Sequence, residues 1–201
     1  MKNNNIIISN NHIEKTANRL KEAGMEYFHQ DFQTFANNFL QHSSEHPIIL
    51  QGPAMSGKKT MVDQLSTVLN IKPKKYDFVN FTIDEETYHS HDAIINDLRK
   101  SYQRGETVVI ENLDKMGTYD NILLSLLVEE FYHNPNPKFH MIILESKEGR
   151  TFRSLSDKTR KYSVTVNIGK DPVIEEKIQK KLEEEQKEQE SAKQKTFKGV
   201  K

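Results

Sequence analysis

"IILQGPAMSGKKTMVDQL", residues 48 to 65, is the stretch from which the rest of the chain can be read. An apolar run, Ile48 to Leu50, enters a turn that contains Gly52 and Gly57, and Lys58 follows at once. Beyond it Met61, Leu65, Val68 and Leu69 fall at the spacing of one helix face. Strand, glycine-rich turn and helix in that order meet the needs of an oligophosphate. Backbone N–H groups converge on its oxygens, a helix N-terminus lies behind them, and a mobile cation reaches the outer phosphates. Gly52, Pro53, Ala54, Met55, Ser56, Gly57, Lys58, Lys59 and Thr60 are therefore expected to hold a nucleotide, ATP or ADP. The irregularity is Lys59. A hydroxyl residue in its place would offer oxygen to Mg2+, which a lysine cannot do. Thr60, one place on, is the remaining hydroxyl. A variant site is expected, competent for nucleotide and weak in metal-dependent hydrolysis.

Outward from the turn, helices and strands alternate. Phe28, Phe32, Phe35 and Phe39 recur at helical spacing and read as a core-facing helix. Downstream come a strand in "YDFVNFTI", a helix "HDAIINDLRKSYQRG" ended by Gly105, and a buried strand "TVVIENLD". The apolar helix "NILLSLLVEEFYH" follows, then a breaker "NPNPK", the strand "FHMIILES", a basic segment and the strand "YSVTVNI". This order predicts a three-layer α/β domain with a parallel five-stranded sheet and its ligand at the carboxyl ends of the strands. The domain is expected over residues 27–170, between an N-terminal extension, 1–26, and a charged tail, 171–201. The tail mixes Lys and Glu closely, as a solvated helix or a disordered segment does.

Composition excludes several functions. The chain has 201 residues, 35% of them hydrophobic, which suits one ordinary domain. Lys plus Arg and Asp plus Glu number 29 each, so the whole molecule exerts no net pull on nucleic acid or an anionic membrane. Contact with nucleic acid would need a local patch, for which "KPKK" at 72–75 and the segment 147–161 are the candidates. With no cysteine, disulfides, thiol catalysis and Cys-ligated zinc are ruled out. His89 and His91 in "YHSHD" lack a convincing zinc spacing. The apolar run in "MKNNNIIISNN" is too short for a signal peptide and no segment is long enough to span a membrane, so a cytoplasmic protein, or a nuclear one in a eukaryote, is expected.

A second acidic element completes the pattern. "TVVIENLDK" places Glu111 at the end of an apolar run, where an acid would orient a metal's shell. Asn112 stands where a water-polarising Glu would follow; it can orient water but not take its proton. Asp114 sits farther on. Taken together, residues from about His46 to Asp171 resemble the core of AAA+ ATPases, closest to the clamp-loader and origin-recognition initiator branch. "GPAMSGKKT" is similar to its Walker A motif, "VVIENLDKM" to its Walker B motif, and "FHMIILESKEGRTFRSLSDKTRKYSV" to the strand and helix that follow.

The resemblance implies metal ligation by Glu111 and Thr60, a polar sensor at Ser146 (or Glu145), and an arginine finger at Arg160 completing a neighbouring subunit's site. It also implies ATP and Mg2+ as cofactors, protein partners in an oligomeric assembly, and a setting such as DNA replication. Lys59, Glu111 and Asn112 all depart from the family's pattern, and no Arg follows Arg160, so the helical lid is expected to be truncated or absent. The expected function is an ATP-binding subunit or regulator that hydrolyses poorly alone. One alternative is a small nucleotide or nucleoside kinase, suggested by the Lys58, Lys59, Thr60 order and by Arg150, Arg153 and Arg160. Another is a P-loop-fold scaffold that binds no nucleotide.

Overall fold

The structure, a computed structural model, describes residues 11–19, 22, 26–77, 80, 82–84, 86–87, 90–112, 118–146 and 155–169, without the side chains of 26–28 and 91. The expectations placed on the N-terminal ten residues, Asp114, the basic segment 147–154 with Arg150 and Arg153, His89, the side chains of Phe28 and His91, and the tail 171–201 lie outside the described residues.

The helices are α1 (residues 11–19), α2 (Glu26–His42), α3 (Lys58–Leu69), α4 (His91–Arg104), α5 (Thr118–His133) and the short α6 (Asp157–Lys161). The strands are β1 (Ile48–Gly52), β2 (Lys74–Asp77), β3 (Thr82–Ile83), β4 (Glu86–Thr87), β5 (Thr107–Glu111), β6 (His140–Ser146) and β7 (Val164–Asn167). They form one sheet in the order β4-β3-β2-β5-β6-β1-β7.

Parallel pairing joins β2, β5, β6, β1 and β7, whereas β3 and β4 pair antiparallel. The sheet is thus seven-stranded and mixed, which corrects the expectation of five strands, all parallel. One added strand comes from "YDFVNFTI", read as a single strand, and the other is the two-residue β4, Glu86–Thr87, beyond it. Asp77 Oδ1 accepts the backbone N–H of Asn80 at 3.0 Å, and Thr82 and Ile83 then pair back on Asp77 and Tyr76. An Asp followed closely by Asn is turn chemistry, and alternation alone does not separate one strand from a folded-back pair.

Right-handed crossovers put a helix on one face or the other according to the direction of travel across the sheet. From β1 the chain crosses to β2 through α3; from β2 to β5, from β5 to β6 and from β6 to β7 it travels the other way. The two cores follow. On one face Ile48, Leu50, Val109, Ile142 and Leu144 pack with Phe32, Phe35 and Phe39 of α2 and Met61, Val62 and Leu65 of α3; Ile13 and Ala17 of α1 join them. On the other, Ile49, Val108, Ile110, Met141 and Ile143 pack with α4 and α5. Alternate residues of each strand face opposite layers, as the period of two demands. Among the described residues no helix is long and apolar enough to cross a membrane.

Candidate nucleotide site

The connections fix where a ligand can sit. From β1 the chain leaves toward β2, and from β6 it leaves past β1 toward β7. Between β1 and β6 it therefore departs in opposite directions. A crevice opens at the carboxyl ends of strands at such a switch point. Gly52 and Ser146 are register partners there, as are Gln51 and Glu145. Asp77 and Glu111 pair at the same end of β2 and β5.

The 52–57 turn leaves the carboxyl end of β1 at that switch point and leads into α3. β1 is buried along its whole length, and the chain turns at Ala54 and Met55, with Met55 in the left-handed region at φ 59° and exposed. Gly57 takes φ 83° and ψ 14°, a conformation costly for any residue with a Cβ, and α3 starts directly after it. Gly57 offers no side chain to cap the helix, and the first turn carries no acid. Met61 N–H closes the first intrahelical bond, to Gly57 O at 2.9 Å, so the N–H groups of the first turn lie ahead of that ladder, at the positive end of the helix.

Lys58 is 8% exposed. Its Nζ donates to Gly52 O at 2.9 Å and to Pro53 O at 2.5 Å, and lies 3.3 Å from Ser56 Oγ. The ammonium is thus held inside the curve of the turn, where phosphate oxygens would be stronger acceptors than neutral carbonyls.

Lys59 points elsewhere. Its Nζ forms an ion pair with Glu111 Oε2 at 2.5 Å, the lysine side chain 59% exposed and the glutamate 13%. Thr60 is exposed on the first turn of α3. Asn112 sits at φ 56°, and its Nδ2 donates to Asp77 Oδ2 at 2.6 Å, which orients the amide away from the role of a solvent base. Ser146 is half-buried at the end of β6.

Glu145, 1% exposed, is the centre of a cluster. Its Oε1 accepts from Arg160 at 2.6 Å and from the Leu155 N–H at 3.2 Å, and Gln51 Nε2 donates to its Oε2. Arg160, expected to reach a neighbouring subunit, pairs within its own chain. A buried carboxylate needs such a cation, and the short α6 brings one to it.

The sequence reading passed over Gln51 and Asp77. A signal for Gln51 existed: "IILQG" and "IILES" each place one polar residue after an apolar run, and the two are register partners. Nothing local marked Asp77 as the partner of Asn112.

Glycine-rich turn, helix N-terminus and buried lysine at the switch point of an α/β sheet fit a P-loop nucleotide-binding protein. No protein-family model matches the sequence, and no curated protein matches it. Among solved structures the chain is similar to the RuvB Holliday junction branch migration motor of Thermotoga maritima and to a single-substitution variant of that RuvB. The TM-scores are 0.47 and 0.48, with 14% identity over 69% of this chain and 43% of each of those chains. The chain thus spans less than half the length of these structures, and a likeness so slight says nothing of its activity.

The donors beside the turn do not suit Mg2+. That ion demands near-octahedral oxygen ligation. Lys59 already occupies Glu111 Oε2, and at the position next to Lys58 the ammonium of Lys59 stands where a hydroxyl would offer oxygen.

Proposed function

We propose that this chain is an ATP- and ADP-binding, AAA+-like subunit or regulator of a protein assembly, with little or no hydrolysis in isolation. The observation that carries the reading is the buried Lys58 ammonium inside the 52–57 turn, beneath the uncapped N-terminus of α3. Backbone N–H groups at the start of α3 would face the phosphates, and Lys58 would exchange its carbonyl partners for phosphate oxygens.

Poor hydrolysis is supported by what lines the crevice. Asn112 cannot accept water's proton and is tethered to Asp77. Arg160 neutralises Glu145, which leaves Ser146 as the polar group at the end of β6. A subunit role is supported by α5, on which Tyr119, Ile122 and Leu126, spaced along one helix face, are exposed among the described residues. The sequence resemblance to clamp-loader and initiator cores favours a DNA-replication assembly as the setting. For the kinase reading, of the three arginines only Arg160 is described, and it is committed to Glu145.

Calorimetric titration of ATP and ADP into the wild type and Lys58→Ala tests the reading. Loss of the charged hydrogen bonds from Lys58 should weaken binding by roughly tenfold to a hundredfold. Undiminished binding by Lys58→Ala, or no binding by the wild type at millimolar nucleotide, would overturn it. Rapid phosphate transfer to an added nucleoside monophosphate would favour the kinase instead.

A further inference from the structure

Lys59 is the residue that spoils a metal site, and it is also the residue that neutralises the acid such a site would use. The two facts have one explanation. We propose that the Lys59 ammonium, anchored on Glu111, replaces the divalent cation, so that this site takes the metal-free nucleoside triphosphate or diphosphate as its ligand. The inference rests on the nucleotide-binding reading above.

Position supports it first. Lys59 follows Lys58 in the first turn of α3, so its side chain starts beside the phosphate-facing helix end. It crosses from the β1 side of the crevice to the β5 side and meets Glu111 at 2.5 Å, with β6 lying between the two strands. An ammonium carries three N–H donors, and Glu111 takes one, which leaves two that can be directed at phosphate oxygens.

Charge supports it second. Lys58 and Lys59 against Glu111 leave one net positive charge beside the turn, added to the partial positive charge of the helix end; Asp77, one strand farther on in β2, accepts from Asn112. That suits a polyanion without its own metal. A metal-bound nucleotide would bring a hydrated divalent cation beside the Lys59 ammonium, and like charges that close repel, though the exposure of Lys59 lets water screen part of the effect. Thr60 does not restore the ligand: one residue farther along a helix turns its side chain by about 100° from the position of Lys59.

The test is calorimetric titration of ATP in excess Mg2+ and in excess EDTA, on the wild type and on Lys59→Ser and Glu111→Gln. Thermal melts show that each variant is folded. The wild type should bind as tightly in EDTA as in Mg2+ or more tightly. Lys59→Ser, which frees Glu111 and supplies the missing hydroxyl, should lose roughly tenfold in EDTA and recover when Mg2+ is added. Glu111→Gln, which leaves the Lys59 ammonium without its charged anchor, should weaken binding in EDTA by a factor of a few, less than Lys59→Ser does. Wild-type binding that requires Mg2+ would overturn the proposal while leaving nucleotide binding intact. Equal binding of Lys59→Ser and wild type in EDTA would also overturn it. Absence of wild-type binding in both conditions would remove the nucleotide reading and this inference together.

Discussion

Arg160 donates to Oε1 of Glu145 at 2.6 Å, joining α6 to the buried end of β6, whose next residue, Ser146, is the register partner of Gly52. Glu145 is 1% exposed and Arg160 is partly covered, so the pair is more than a surface contact. Removing the cation strands a charge in a site that water does not reach. Arg160→Ala should therefore lower stability by about 3 kcal/mol, read as a reduced midpoint in urea. Adding Glu145→Gln to it should restore part of the loss, because a neutral amide tolerates the vacated position better. An unchanged midpoint for Arg160→Ala would show that the pair contributes nothing.

Tyr76 is fully buried in β2, with its hydroxyl 2.8 Å from both Asp97 Oδ2 and Ser101 Oγ. Burial pushes the phenol far above its ordinary value, so it stays a donor at any working pH. Burial also pushes Asp97 upward, but the hydrogen bonds from Lys74 and Tyr76 outweigh it and hold that carboxyl below 3.8. Tyr76→Phe should cost about 1 to 3 kcal/mol by leaving buried oxygens with one partner fewer. A lowered carboxylate contributes stability that is fully present above its unfolded value and lost as pH falls through its folded one. The variant should accordingly lose less stability than the wild type on acidification below that range. Equal acid sensitivity in the two proteins would contradict the assignment.

His140 opens β6 and lies 3.0 Å through Nδ1 from Ser43 Oγ, its ring 5.3 Å from that of Phe39. Burial lowers its pKa below 6.5, and a hydrogen bond with Ser43 works in the opposite direction. Below the ordinary value the unfolded chain takes up a proton that the folded chain refuses. The histidine's contribution is thus complete above pH 6.5 and declines as pH falls toward the folded value. Chemical denaturation at about pH 7.5 and 5.5 should show a larger drop for the wild type than for His140→Gln. The reverse order would require that His140 be charged in the native state.

Gly105 ends α4 at φ 70°, its N–H bonded to Tyr102 O and the next N–H to Ser101 O. A Cβ there would stand 2.5 Å from Lys138 Cβ. Gly105→Ala should destabilise by about 2 kcal/mol, combining the left-handed backbone cost with the displacement of Lys138. A melting temperature within a degree or so of the wild type would rule this out.

Parts of the molecule were legible because their causes are local. Gly52, Gly57 and Lys58 carry the turn within a few residues, Gly105 stops its own helix, and the phenylalanines of α2 repeat at the helical period with Phe32, Phe35 and Phe39 buried as that period requires. The hairpin formed by β2 and β3 was missed because a period of two looks the same whether the chain runs straight or folds back.

The sequence by itself determined the glycine turn, the start of α3 and the inward Lys58, since the backbone angles at Gly57 and the reach of Lys58 depend on adjacent residues. Only the tertiary structure decided what the neighbouring charges do. Lys59 meets Glu111 across 52 positions of sequence, Gln51 meets Glu145 across 94, and Asn112 meets Asp77 across 35. Each pairing depends on the order of β2, β5, β6 and β1 in the sheet. Strand order is set by crossover handedness and by which faces bury together, and no short stretch of sequence encodes either.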